Sequence, residues 1–133
     1  MIGEPLFAIL LANEKASNLF DNRIYATVLP QTTAYPAAVY RDEDVKPLSV
    51  RDNRSSFSGT LQIEVASPSF DQVQDGLAVI RQALDNYTGR INGFGLRFGY
   101  GSTLEAGFDD TTKEHFQALA YQVHGQKFTT VTT

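Results

Sequence analysis

Glycine and aromatic residues are interleaved through NGFGLRFGYG, residues 92 to 101. Such a composition occurs in phosphate-binding loops and in strands that stack on nucleic-acid bases. A phosphate-cradling P-loop needs a Gly-Lys-Ser/Thr ending that feeds a helix; Gly99-Tyr100-Gly101 has no lysine and leads into more strand. A dinucleotide-binding turn directly follows the first strand of its fold and opens a helix, and this segment does neither. An RNP1-type strand places a basic residue ahead of its Gly-aromatic-Gly start. Here Asn92 takes the basic position, Leu96 takes the next aromatic one, and Phe98 falls one residue early, on the wrong face. What remains is period two, with Phe94, Leu96, Phe98 and Tyr100 pointing one way and Gly93, Gly95, Arg97 and Gly99 the other. Glycine weakens a strand unless something must approach closely, so Gly93, Gly95, Arg97 and Gly99 form a candidate close-packing face for a helix, a loop or a second subunit.

The other chemistry-bearing residues do not converge. His115 and His124 lie nine apart in a predicted strand, so they face opposite ways and are roughly 30 Å apart, too far to share a metal. Asp42-Glu43-Asp44 and Asp109-Asp110 lack EF-hand spacing and its glycine, and read as solvated loop charge. Ser55, Ser56 and Ser58 sit near no nucleophile elbow or local base. Arg51, Asp52 and Arg54 form a mixed-charge patch suited to pairing between subunits. No constellation points to an enzyme, a metal or a cofactor.

Composition narrows the classes further. A net charge of −4 supplies no basic footprint for gripping a phosphate backbone. The absence of cysteine removes disulfides, thiolate zinc sites and cysteine nucleophiles together. No run approaches the ~18 apolar residues of a membrane span, and the expectation is a soluble chain that stays where it is made.

The elements that must position these residues follow from periodicity. A helix is predicted over 5 to 20, with Leu6, Ile9, Leu10, Asn13, Ala16 and Phe20 on one face and Asp21-Asn22 ending it. Strands follow at 23 to 29 and 37 to 41, the second apolar on both faces and so expected to lie centrally. Residues 42 to 56 are polar and charged, either an exposed loop or an extended hairpin arm. Leu61, Ile63 and Val65 alternate with Gln62 and Glu64 in a half-buried strand. Phe70, Val73, Leu77, Ile80, Leu84 and Tyr87 then recur at helical spacing, with Ser69 and Gln72 in capping register and Gly89 at the expected end; Gly76 and Ala83 flank the stripe. Two last strands are predicted over 93 to 106 and 114 to 124, joined by a turn at Asp109 to Thr112. This order, α-β-β-arm-β-α-β-β, predicts a single α+β domain over 1 to 125. Its mixed, mostly antiparallel sheet has about four to five strands and two main helices, and 126 to 133 form a flexible tail.

In this order the chain resembles the tail completion family of long-tailed bacteriophages, the small tail-terminator proteins at the head-proximal end of the tail tube. The likeness is carried by LLANEKASNLFDNRIY, by Pro30-Gln31 with Tyr35-Pro36-Ala37-Ala38-Val39-Tyr40, by LQIEVASPSFDQVQDGLAVIRQALDNY, and by the glycine-led strand and closing FQALAYQV. The resemblance implies a ring, a hexamer, that caps the tail tube, meets a head connector or stopper protein and lets DNA pass through its lumen as cargo. It implies a place in the virion after assembly in the host cytoplasm, with no membrane and no cofactor. Asp42, Glu43, Asp44, Arg51, Asp52 and Arg54 become candidate lumen or subunit-contact residues. Another neck component, or a nucleic-acid-binding module using Phe94, Phe98 and Tyr100, is the alternative reading.

Overall fold

Long alternating stretches dominate the chain, and they build its sheet. In the computed structural model, which describes residues 3–27, 34–51, 54–91 and 93–128, the order is α1 (Gly3–Ala12), α2 (Glu14–Phe20), β1 (Ile24–Ala26), β2 (Ala37–Arg51), β3 (Arg54–Ser67), α3 (Phe70–Leu84), β4 (Thr88–Ile91), β5 (Phe94–Phe98), β6 (Ser102–Thr103), β7 (Gly107–Asp109) and β8 (Glu114–Phe128). The strands form one 8-stranded sheet in the order β1-β2-β3-β8-β5-β4, with β6 and β7 also paired to β8. Only β1–β2 is parallel among the described pairs; the rest are antiparallel. The α+β class is as expected, with more strands than the four to five predicted.

The helices cover one sheet face. Leu61, Ile63 and Val65 of β3, Leu119, Tyr121 and Val123 of β8, and Phe94, Leu96 and Phe98 of β5 point to that inner face. There they join Leu6, Leu10, Phe20, Val73, Leu77, Ile80 and Leu84 in one buried core. Period two sends Gln62, His124 and Arg97 to the opposite, outer face.

Several boundaries differ from the sequence reading. The predicted 5 to 20 helix is two helices, because the Asn13 side chain accepts the Ala16 N–H at 3.0 Å and starts α2 as its N-cap. Ser69 caps α3 as expected, accepting the Gln72 N–H, but Gln72 turns its own side chain to the Ser67 hydroxyl. Gly89 does not end α3. The helix stops at Leu84, Asn86 takes the left-handed conformation at φ 57°, and Gly89 lies inside β4 opposite Leu96. The reason is an anchor at Asp85. Its Oδ1 accepts the Tyr121 hydroxyl at 2.6 Å and the Gly101 N–H at 3.2 Å, while Oδ2 pairs with Arg81 at 3.1 Å.

The predicted 93 to 106 strand is interrupted in the same region. Gly93, at φ 78°, turns β4 into β5, and the chain then leaves and rejoins β8 as β6 and β7. The Asp109 turn is present, with Oδ1 accepting the Thr111 and Thr112 N–H groups. β8 runs past the expected end at 124: Gln126, Lys127 and Phe128 pair with Ser56, Ser55 and Arg54. The strand therefore takes the first three residues assigned to the flexible tail, and 129 to 133 lie outside the described residues.

Candidate functional site

Residues 42–51 and 54–56 form the two sides of an extended hairpin arm. β2 and β3 pair from Ala37↔Ala66 to Arg51↔Arg54, with irregularities between Glu43 and Lys46 and between Pro47 and Ser49. β8 backs β3 over the whole length, so the arm is part of a three-stranded ribbon. Parallel pairing with β1 stops at Tyr40, and among the described strands β2 has no second neighbour beyond it. That leaves an open sheet edge, guarded by charged residues and Pro47.

The candidate contact residues do not gather at one point. Asp42 lies opposite Leu61 and is half-buried on the inner face beside Tyr40, whose hydroxyl is pushed above its ordinary pKa by burial and then by the Asp42 charge. Glu43 faces outward, exposed, opposite Thr60. Asp44 falls in the irregularity before Lys46, and Arg51 and Arg54 form the last rung of the hairpin. Asp52 lies outside the described residues.

The glycine face points outward. An added Cβ at Gly95 would meet the Phe128 ring at 3.4 Å, and at Gly99 the Gln122 carbonyl at 3.7 Å, both ordinary contacts. The Phe128 ring lies over Gly95 and is capped by the Arg90 guanidinium 3.8 Å from its centroid. The glycines in tight contact are Gly59, Gly76, Gly89, Gly101, Gly107 and Gly125 instead, against Val45, Val65, Tyr87, Tyr121, Phe116 and Phe57 in turn. Gly95→Val is therefore expected to leave the fold within about 1 kcal/mol of wild type by thermal unfolding, as at other surface positions.

Register assembles what sequence reading missed. Lys46 pairs with Ser58, Ser58 with His124, His124 with Arg97, and Arg97 with Thr88, one rung across five strands on the outer face. The next rung holds Ser56, Gln126, Gly95 and Arg90. Of these, Ser56, Thr88, Arg90, Gly95, Arg97, His124 and Gln126 line a shallow depression of about 540 Å³ between β3, β8, β5 and β4, and Lys46 and Ser58 lie outside its lining. Arg97 had been named only as part of the glycine face, and no local spacing links it to Lys46 or His124.

The opposite end of the sheet is acidic and aromatic. His115 packs against Phe108 and Phe70, with ring centroids 4.6 and 5.7 Å away, and both phenylalanines are about half exposed. Tyr35 donates to Glu114 across β2 and β3, and its hydroxyl is pushed up to about 12, first by that hydrogen bond and then by burial. Glu64, between Val39 and Ala118 on the outer face, is raised above the ordinary carboxylate range, chiefly by burial, with Arg41 opposing and Glu114 adding. A carboxyl raised in the fold favours the folded state below its unfolded pKa, and that contribution is lost as pH rises through the folded value. Glu64→Gln is expected to raise Tm at pH 7, with the gain disappearing toward pH 4. A Tm gap independent of pH would contradict this.

Among the described residues no group of three His, Asp or Glu side chains could hold a metal ion, and no helix is long and apolar enough to cross a membrane. The extended backbone and the open edge of β2 suit contact between proteins. Comparison with known proteins points to the same class. The model of the family described as tail completion protein gp17 matches residues 4–115. The chain belongs to this tail completion family. The family is a structural one of the bacteriophage tail. Two solved structures share the fold of this tail completion protein. One, from the virion of a native gene transfer agent particle, is 17% identical, covers 91% of each chain and superposes with a TM-score of 0.64. Another is 15% identical, covers 99% of this chain and 93% of its own, and has a TM-score of 0.55. No curated protein sequence matches this tail completion protein. The family match ends two residues into β8, so the strand at the centre of the sheet lies mostly beyond it.

Proposed function

We propose that this protein is a tail terminator: a ring, a hexamer, that caps the finished tail tube, ends its growth and joins it to a connector or stopper protein of the head. The observation that carries this reading is membership of the tail completion family over residues 4–115. The protein then works at the head-tail junction of the virion after assembly in the host cytoplasm, and DNA passes through the lumen. The arm supports the reading, because a ribbon with one open edge can reach a neighbouring subunit or the tube. The net charge of −4 also supports it, since a conduit should repel its polyanionic cargo. Of the acidic trio, Glu43 is exposed, and we assign it to the lumen or to a subunit contact.

The test is polymerisation of the cognate tail tube protein with and without this chain. Substoichiometric protein is expected to stop elongation at a fixed length. Continued growth at every ratio would refute the cap, and binding to the isolated head connector alone would favour a head-side neck component. Gly95→Val, folded but carrying a side chain on the outer face, is expected to reduce capping if that face contacts another subunit.

A further inference from the structure

The chain carries more acidic than basic residues, 15 Asp and Glu against 11 Lys and Arg, yet one part of its sheet is free of acid. β3 from Arg54 to Ile63, the stretch from Thr88 to Leu104, and all of β8 after Glu114 contain no aspartate or glutamate. β2 from Val45 to Arg51 contains none either; Asp52 lies outside the described residues. Register makes these stretches neighbours, and the Lys46-Ser58-His124-Arg97 rung runs through them. Lys46, His124 and Arg97 are exposed and make no hydrogen bond or ion pair among the described residues. Lys46 and Arg97 put like charge on one face with no acid on their rung, and an anion there would offset it. The depression beside them, with Ser56, Thr88 and Gln126 as further polar groups, leaves room for one.

The acid is at the other end of β8. Exposed Asp109 and Asp110 lie at the β7–β8 turn, roughly 30 Å along the strand from His124, with exposed Glu105 ahead of β7 and Lys113 the one base in the turn. One molecule therefore presents a basic concave face and, at the far end of the same strand, an exposed acidic turn. Two unlike patches on one chain make a heterologous contact, in which each copy uses one patch on either neighbour, and such contacts form a ring where the rotation between copies closes. We propose that the outer face at Lys46, Arg90, Arg97 and His124 receives the acidic β7–β8 turn of a second copy of this chain. The proposal rests on the ring reading above and adds which surfaces meet. It also removes an apparent conflict, because the positive face is covered by a neighbour and does not line a channel for DNA. An acidic chain disfavours nucleic acid as the occupant.

The experiment is a charge swap in the full chain, read by ring yield on tail tubes in electron micrographs, with Tm confirming that each variant folds. Arg97→Glu and Asp110→Arg are each expected to lower ring yield at least about tenfold, and the double variant to recover most of it. A second measurement uses the natural absence of cysteine. Arg97→Cys with Asp110→Cys, treated with a short bis-maleimide on assembled tubes, should give a ladder of cross-linked multimers, and neither single variant should do so. Normal rings from Arg97→Glu, with no ladder, would overturn the contact while leaving the ring intact. Loss of retention on immobilised DNA by Arg97→Glu, with assembly unchanged, would overturn it in favour of nucleic acid. No ring from wild type on tubes would remove the ring reading itself and this contact with it.

Discussion

Gly76→Val is expected to destabilise the protein by about 3 kcal/mol or more, enough to lower Tm by roughly 10 °C. Gly76 sits in the middle of α3, where glycine costs about 1 kcal/mol relative to alanine in helix propensity. Propensity alone would make any replacement but proline favourable. Space decides otherwise: an added Cβ would stand 2.8 Å from Val65 Cγ1 and 3.2 Å from Phe20 Cζ, on two buried residues from β3 and α2. Alanine adds this one carbon, so its helix gain and its overpacking cost of about 1–3 kcal/mol nearly offset, and Gly76→Ala should fall within about 2 kcal/mol of wild type. Valine pushes two further methyls into the same junction with less helix gain than alanine. Thermal unfolding of the pair gives the check, and equal Tm values for Gly76→Val and wild type would show that α3 does not lie against β3 as described.

Asp85→Ala is the second large effect, an expected loss of about 2–4 kcal/mol. The Asp85 carboxylate holds together the Tyr121 hydroxyl, the Gly101 N–H and Arg81, whose other arm reaches Thr103. Tyr121 is fully buried, and removing its acceptor leaves a hydroxyl with no partner in the core. Gly101 is held so close that a Cβ there would lie 2.6 Å from the Tyr121 ring, so the return of the chain along β6 depends on the same anchor. Tyr121→Phe deletes only one hydrogen bond and should cost about 1 kcal/mol. Its hydroxyl is pushed well above the ordinary tyrosine pKa, by burial and then by Asp85. A raised folded pKa means stability is intact below the unfolded value of about 10 and falls as pH rises beyond it. The wild type should therefore lose stability above pH 10 more steeply than Tyr121→Phe; parallel curves would contradict the assignment.

These two positions show what the sequence could and could not reveal. The α3 stripe of Val73, Leu77, Ile80 and Leu84 was legible because local periodicity and packing agree, and the same holds for Leu61, Ile63 and Val65 in β3. The end of α3 was not legible, because Gly89 looked like a cap while the true stop depends on Tyr121, 36 residues beyond Asp85. β4 was missed for a related reason: Thr88 and Arg90 face solvent, leaving an edge strand with little apolar alternation. The arm read as loop or hairpin because its two irregularities break period two in β2, and its β3 side is held regular by pairing with β8, distant in sequence. Asn13 was placed on the apolar face by spacing, although its side chain caps a new helix. The basic rung was invisible because Lys46, Arg97 and His124 meet through strand order, which no local pattern encodes.

The central claim, that this tail completion protein caps the tail tube as a ring, is tested most directly by imaging tail tubes incubated with purified protein. The account predicts added density at one end only, a ring with an open centre seated on the tube axis, present on nearly every tube once the protein is in excess over tube ends. Density spread along the tube wall, or bare ends under saturating protein, would contradict it.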